Sequence, residues 1–201
     1  MKGQNHICGV LCVDVNEQAN QMKKEDAIDI LDRIIGFINN CDNKTSIMLG
    51  VFGAIIALVF STDGVTEITR IVETAFAIKS FCNILFLMIW SSSFVILLMG
   101  VTNFALSLLA KIDCSDMKQT FLELDSNIFF ENIAKNSTYK LYKEKILSVN
   151  EESLLNDFVS QIYINSCICT AKFKRYNHGL KLSLIGYGAF IALWAIGSYL
   201  Y

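Results

Sequence analysis

Asp42 and Lys44 stand two residues apart in "NNCDNKTSIMLGVFGAIIALVFS", where a polar run enters a long apolar stretch without proline or a turn residue. A lysine suits the inner phosphate layer of a bilayer, whereas an acid there is mildly unfavourable beside anionic lipid. Asp42 is therefore expected to face protein, with Lys44 or a base of the 172–175 cluster as its partner. Other groupings carry less chemistry. His6, Cys8 and Cys12 lack the paired spacing of a structural zinc site, so no metal is expected. His178, among Lys174, Arg175 and Lys181, reads as a headgroup-level residue. Asp157 and Gln161 are one helical turn apart, as are Glu144 and Ser148, an ordinary surface pattern. No Ser/His/Asp arrangement, Walker loop, GxGxxG or HExxH occurs, so no catalytic residue is assigned and an enzyme is not expected. The net charge of −2 argues against binding a nucleic-acid polymer.

The elements that position these groups are set by three charge-free blocks. Of the 201 residues, 53% are hydrophobic, and Thr45–Thr62, Ser80–Ala110 and Leu182–Tyr201 contain no charge. A bilayer core takes roughly 20 apolar residues of helix, and all three blocks fit that range or exceed it. Without a charge inside them there is no proton relay, which disfavours an ion-coupled transporter. The opening "MKGQNHICGVLCVDV" is no cleavable leader, because the run Ile7–Val13 is short and Asp14 and Glu17 follow it. Leu11 stands where a lipoprotein signal before Cys12 takes a small residue. Basic residues near the spans concentrate on one side: Arg33, Lys44, Lys111, Lys118, Lys172, Lys174, Arg175 and Lys181, against Arg70 and Lys79 on the other. The positive-inside rule places the N-terminus in the cytoplasm and Tyr201 outside. Six of the seven cysteines then lie on the reducing side, where a disulfide framework is not expected.

The fold expected is all-α: a multi-pass membrane protein with three transmembrane helices and a small cytosolic helical bundle. Its division is a cytosolic N-terminal amphipathic helix (1–44), a first span (45–62), a short external loop (63–79), a second span (80–110), a cytosolic helical region (111–181) and a third span (182–201). Apolar residues at 27, 28, 31, 34, 35, 38 and 41 follow helical spacing, and nothing stops that helix before Gly50. Helix and first span are expected to form one rod from residue 17 to 61. Glu151 and Glu152 mark the start of another helix, with a stripe of Leu155, Phe158, Val159, Ile162, Ser166, Cys169, Phe173 and Tyr176. "DSNIFFENIAKN" and "STYKLYKEKILSV" read as two shorter helices. Gly188 and Ala192 have the spacing of a small-residue helix contact, Gly50 and Gly53 a weaker version. Trp194, Tyr199 and Tyr201 are expected to anchor the last helix at the outer interface. The polar residues of the second span, Asn83, Ser91, Ser92, Ser93, Thr102 and Asn103, serve helix packing or line a path that becomes wet.

The ordered motifs resemble a known family. "DNKTSIMLGVFGAIIALVF" is similar to the Asp-x-Lys entry into the first span of the Pycsar transmembrane effectors. "NIFFENIAKNSTYKLYKEKIL" resembles their Asn-x-Phe-Phe segment and Tyr-bearing helix. "LLNDFVSQIYINSCICTAKFKRYNHGLKLSLIGYG" resembles their Asp-x-x-x-Gln-Ile, Lys-rich approach to the final span. The likeness covers roughly residues 20 to 201.

The resemblance implies a bacterial antiphage effector of the inner membrane. Its signal would be a cyclic mononucleotide, cCMP or cUMP, from a nucleotide cyclase that makes no stable contact with it. A homo-oligomer would then impair the membrane, with abortive infection as the outcome. Besides this ligand no cofactor is expected; membrane lipid is the other partner. The chain has no attached catalytic domain and no cyclic-nucleotide-binding β-roll, so the helical bundle or a partner would hold the ligand. Candidate ligand-side residues are Lys44, Lys172, Lys174 and Arg175 for phosphate, and Phe129, Phe130 and Tyr139 for base stacking. Asp42, Asn127, Asp157 and Gln161 are assigned to coupling and structure. Competing readings put the bases on lipid headgroups and the phenylalanines in the bundle core. Two other classes stay open: a membrane anchor or scaffold for a cytosolic partner, and a holin-like pore former that needs no nucleotide.

Overall fold

The computed structural model describes residues 22–78, 80–109 and 126–201. Expectations for His6, Cys8, Cys12 and Cys114, for the rod before residue 22 and for Lys79, Lys111 and Lys118 lie outside that range. Six helices are described: α1 (Lys24–Val59), α2 (Thr62–Ala77), α3 (Phe81–Leu108), α4 (Phe130–Ala134), α5 (Tyr139–Ser148) and α6 (Glu151–Leu200). Helices α1, α3 and α6 are long and apolar enough to cross a membrane. The protein is an all-α, multi-pass membrane protein.

Both rods are continuous. Helix α1 has 36 residues and α6 has 50, roughly 54 and 75 Å at 1.5 Å per residue. Each begins on a local signal. Asp26 accepts the Lys23 backbone N–H at 3.4 Å, and Asn150 Oδ1 accepts that of Ser153 at 2.7 Å, with Glu151 and Glu152 on the positive end of the dipole. With no proline to break the ladder, each helix enters its apolar block uninterrupted.

Helices α3 and α6 approach most closely. A Cβ on Gly186 would lie 2.4 Å from the Leu97 nitrogen, and one on Gly100 would lie 2.5 Å from that of Ser183. Gly179 meets the same stretch of α3, so Gly179, Ser183 and Gly186 form the small-residue seam. The sequence pattern points instead to Gly188, yet Gly188, Gly50 and Gly53 have open space where a Cβ would go.

Aromatic rings fill the remaining space. Trp90 stacks on Phe190 at 5.6 Å and meets Trp194 edge-on at 6.4 Å, while Tyr201 packs on Phe86 at 5.8 Å. Trp194 and Tyr201 are thus drawn into the packed interior, and Tyr199 alone of the expected anchors is fully outward. In the second span, Ser92, Ser93, Thr102 and Asn103 donate to carbonyls of their own helix at 2.6–2.8 Å, and Ser91 does the same. Their polarity is satisfied locally.

The segment read as a short external loop is a 16-residue helix, α2. Ser61 Oγ caps it by accepting the Gly64 N–H at 3.2 Å. Gly64 is required by contact, since a Cβ would lie 2.3 Å from the Val59 carbonyl oxygen. Ile71 and Ala75 are buried on one face, which drives the helix onto α3 and α6.

Candidate functional site

Lys172 on α6 is 6% exposed, and its Nζ donates to Asp42 Oδ1 on α1 at 2.6 Å. The same Lys172 accepts, at its carbonyl oxygen, the Ser107 hydroxyl of α3 at 3.1 Å. One turn on, Arg175 Nη1 donates to the Leu106 carbonyl at 2.9 Å. Cys41 and Thr45 are fully buried beside the ion pair, with Thr45 Oγ1 donating to the Cys41 carbonyl at 2.8 Å. All three spanning helices meet at this point. A buried ammonium is tolerated there because a carboxylate accepts its hydrogen bond and balances its charge, and losing either partner leaves an uncompensated charge. By contrast, Glu67–Arg70, Glu131–Lys135 and Glu144–Lys140 are pairs within single helices.

The remaining bases are arranged differently. Lys174, Arg175 and His178, with Asn103 and Ala171, line a surface cleft of about 330 Å³. Lys44 is exposed on α1, where Asp42 is turned toward α6. Lys172 is committed to Asp42, so an anion reaches its ammonium only by displacing a carboxylate.

A second node lies lower on α6. Asp157 is fully buried, and its Oδ2 accepts the Asn127 backbone N–H at 2.7 Å. Ser126 Oγ accepts the N–H groups of Ile128 and Phe129 at 3.2 and 3.0 Å, and Tyr142 donates to the Asn127 carbonyl at 3.4 Å. Asp157 thus pins the turn before α4 to the long rod. Among the described residues, Asp157 Oδ1 and Asn127 Oδ1 are buried without a partner. Ser160 and Gln161 are buried on the same face of α6. The buried face of this part of α6 is therefore polar, against the expectation that Asp157 and Gln161 form an ordinary surface pair. Val159, expected in the buried stripe, is 43% exposed.

The aromatic candidates are open. Phe129 and Phe130 touch each other at 4.7 Å, and Phe130 and Tyr139 are 73% and 76% exposed, so they do not fill a bundle core. Their segment is tied to α6 at Asp157, fifteen residues from Lys172, or roughly 22 Å along the helix. The tie at Asp157 and the ion pair at Lys172 thus mark two levels of α6.

Sequence reasoning missed Ser107, Cys41 and Thr45, whose roles depend on which helix lies opposite. It also missed α2, although Gly64, Ile68, Ile71 and Ala75 carry a helical period.

Residues 26–200 match the family model described as PycTM, the Pycsar effector protein domain. The chain is 28% identical over 186 residues to the Pycsar effector protein GmPycTM of Gulbenkiania mobilis, covering 89% of this chain and 94% of that relative. It is 27% identical over 181 residues to the Pycsar effector protein EcPycTM of Escherichia coli, covering 88% and 91%. No solved structure matches the chain.

Proposed function

This chain belongs to the Pycsar effector protein family, membrane effectors of antiphage defence, and from that premise we propose that it answers a cyclic mononucleotide by self-assembling in the inner membrane and making it leak. The observation that carries this reading is the Asp42–Lys172 ion pair, which joins two uninterrupted rods where their polar halves enter the apolar blocks. A displacement of either rod on the polar side is passed into the membrane without a hinge. The concentration of bases at this end supports a cytoplasmic N-terminus and an outward Tyr201.

In this mechanism the nucleotide, cCMP or cUMP, arrives by diffusion from an upstream cyclase. Its phosphate meets the Lys174–Arg175–His178 cleft, while the exposed rings of Phe129, Phe130 and Tyr139 offer stacking surfaces on another copy. The nucleotide then favours assembly because it binds the assembled state more tightly, the condition for any ligand to shift an equilibrium. The protein's work is mechanical, with no reaction assigned to it.

The test is dye release from liposomes holding the purified full chain. Release on adding cCMP or cUMP, and not cAMP, is expected. Release without nucleotide would instead make it a constitutive pore former, and no release under any condition would make it an anchor or scaffold.

A further inference from the structure

Helix α2 lies alongside the Tyr201-end half of α3. Its first turn rests on the end of α1, where Gly64 meets the Val59 carbonyl and Phe60 meets Phe94 at 5.8 Å. Its last turn is held by Asn83 Nδ2, which donates to the Ala75 carbonyl at 3.3 Å. From Phe94 to Asn83 is eleven residues of α3, roughly 16 Å, and Gly64 to Ala75 is the same length of α2. Ile71 and Phe86 both lie 3.2 Å from where a Cβ of Gly197 would sit, which fixes the two helices at one level of α6. They therefore cover the same depth.

Helix α2 carries a charged stripe that α3 lacks at this depth. Over this depth α3 exposes Ile84, Leu85, Met88 and Ile89, a face suited to hydrocarbon. Helix α2 exposes Asp63, Thr66, Thr69, Arg70 and Glu73, while its exposed Val65 and Phe76 add to the apolar surface, Phe76 in a groove shared with Ile84 and Met88. The threonine hydroxyls are satisfied on their own helix, with Thr66 donating to Thr62 and Thr69 to Val65 at 2.8 and 2.9 Å. Arg70 forks onto Glu67 at 2.5 and 2.9 Å, leaving Asp63 and Glu73 as exposed carboxylates. On insertion scales one central charge costs about 2.5–3.5 kcal/mol against lipid. Four adjacent large apolar side chains in water would conversely be a patch that soluble surfaces avoid. No single membrane level suits both faces of a lone copy.

We propose that α2 faces a water-filled vestibule enclosed by further copies of this chain, each presenting α3 to lipid and the α2 acids to the shared space. This rests on the self-assembly in the preceding section and names the face that assembles. A ring of Asp63 and Glu73 favours cations, as acidic rings do in cation channels.

The test uses the full chain with its seven native cysteines replaced, in liposomes, with single cysteines at Thr66, Thr69, Glu73, Ile84 or Met88. A membrane-impermeant thiol reagent and a bis-maleimide cross-linker are the probes. Thr66→Cys and Thr69→Cys are expected to react with the reagent and to cross-link between chains, while Ile84→Cys and Met88→Cys stay unlabelled. Glu73→Lys is expected to lower the cation-to-anion permeability ratio several-fold. Labelling of Thr69→Cys without inter-chain cross-links would overturn the proposal, as would Met88→Cys reacting as fast as Thr69→Cys. Leak with nucleotide but no α2 cross-link removes the vestibule and spares the nucleotide response. Cross-linked α2 with no nucleotide-dependent leak does the reverse.

Discussion

Asp42 and Lys172, 130 positions apart in the chain, are joined at 2.6 Å between α1 and α6, with Lys172 nearly sealed from solvent and Asp42 one-third exposed. The carboxylate is what makes the buried ammonium tolerable, so the two substitutions are not equivalent. Asp42→Ala leaves the charge of Lys172 without a partner, and the expected cost is about 1–3 kcal/mol, below that of a fully buried pair because Asp42 is partly solvated. Lys172→Met frees a carboxylate that water reaches, and costs less. Asp42→Ala should insert normally and lose toxicity. Thermal unfolding in detergent of both single variants and of the double variant measures the coupling, and additive effects would deny it.

The α3–α6 seam makes a sharper contrast. Gly186→Leu places a side chain where even a Cβ would lie 2.4 Å from backbone, and overpacking of this kind costs about 1–3 kcal/mol or more. Gly188→Leu, with open space around it, is expected to change stability little. Melting of the two variants side by side checks this, and equal melting points would place the seam elsewhere.

Asp157→Ala removes the acceptor that holds the Asn127 N–H, leaving a part-buried donor unpaired at a cost of about 1 kcal/mol. The effect is expected to be local. Limited proteolysis should cut residues 126–149 faster than in the parent, while the spans stay protected. Unchanged cleavage would mean that the Tyr142 and Ser126 contacts hold the segment unaided.

The three spans and both rods are legible in the sequence because charge-free blocks and the absence of proline are one-dimensional signals. The need of Asp42 for a protein partner is legible for the same reason, as an acid at a headgroup level. Its choice of Lys172 over Lys44 is not, since that depends on the rotation of α1 against α6. Helix α2 hides because its Asp63, Glu67, Arg70 and Glu73 read as a polar loop, although Ile71 and Ala75 recur at helical spacing. The burial of Asp157 and Gln161 is hidden because a one-turn polar pair looks the same on a solvated face. Gly179, Ser183 and Gly186 were equally available as a small-residue series, but only the position of Gly100 and Leu97 opposite them distinguishes that series from Gly188 and Ala192.

The cleft at Lys174 and Arg175 separates two sources of phosphate, a nucleotide and the lipid headgroups. Arg175 also holds the end of α3 through the Leu106 carbonyl, so Lys174→Gln is the cleaner substitution. If the cleft takes nucleotide phosphate, Lys174→Gln should raise the nucleotide concentration for half-maximal dye release by roughly 5–30-fold, the loss of one charge-assisted contact. That shift should persist in liposomes of purely zwitterionic lipid. If the cleft serves headgroups, the nucleotide response of Lys174→Gln is unchanged in zwitterionic liposomes and falls only when anionic lipid is present. Lys174→Arg, which keeps the charge, should restore the parent response in the first case. A nucleotide titration in the two lipid compositions therefore assigns the cluster, and an unshifted curve in both removes Lys174 from ligand recognition.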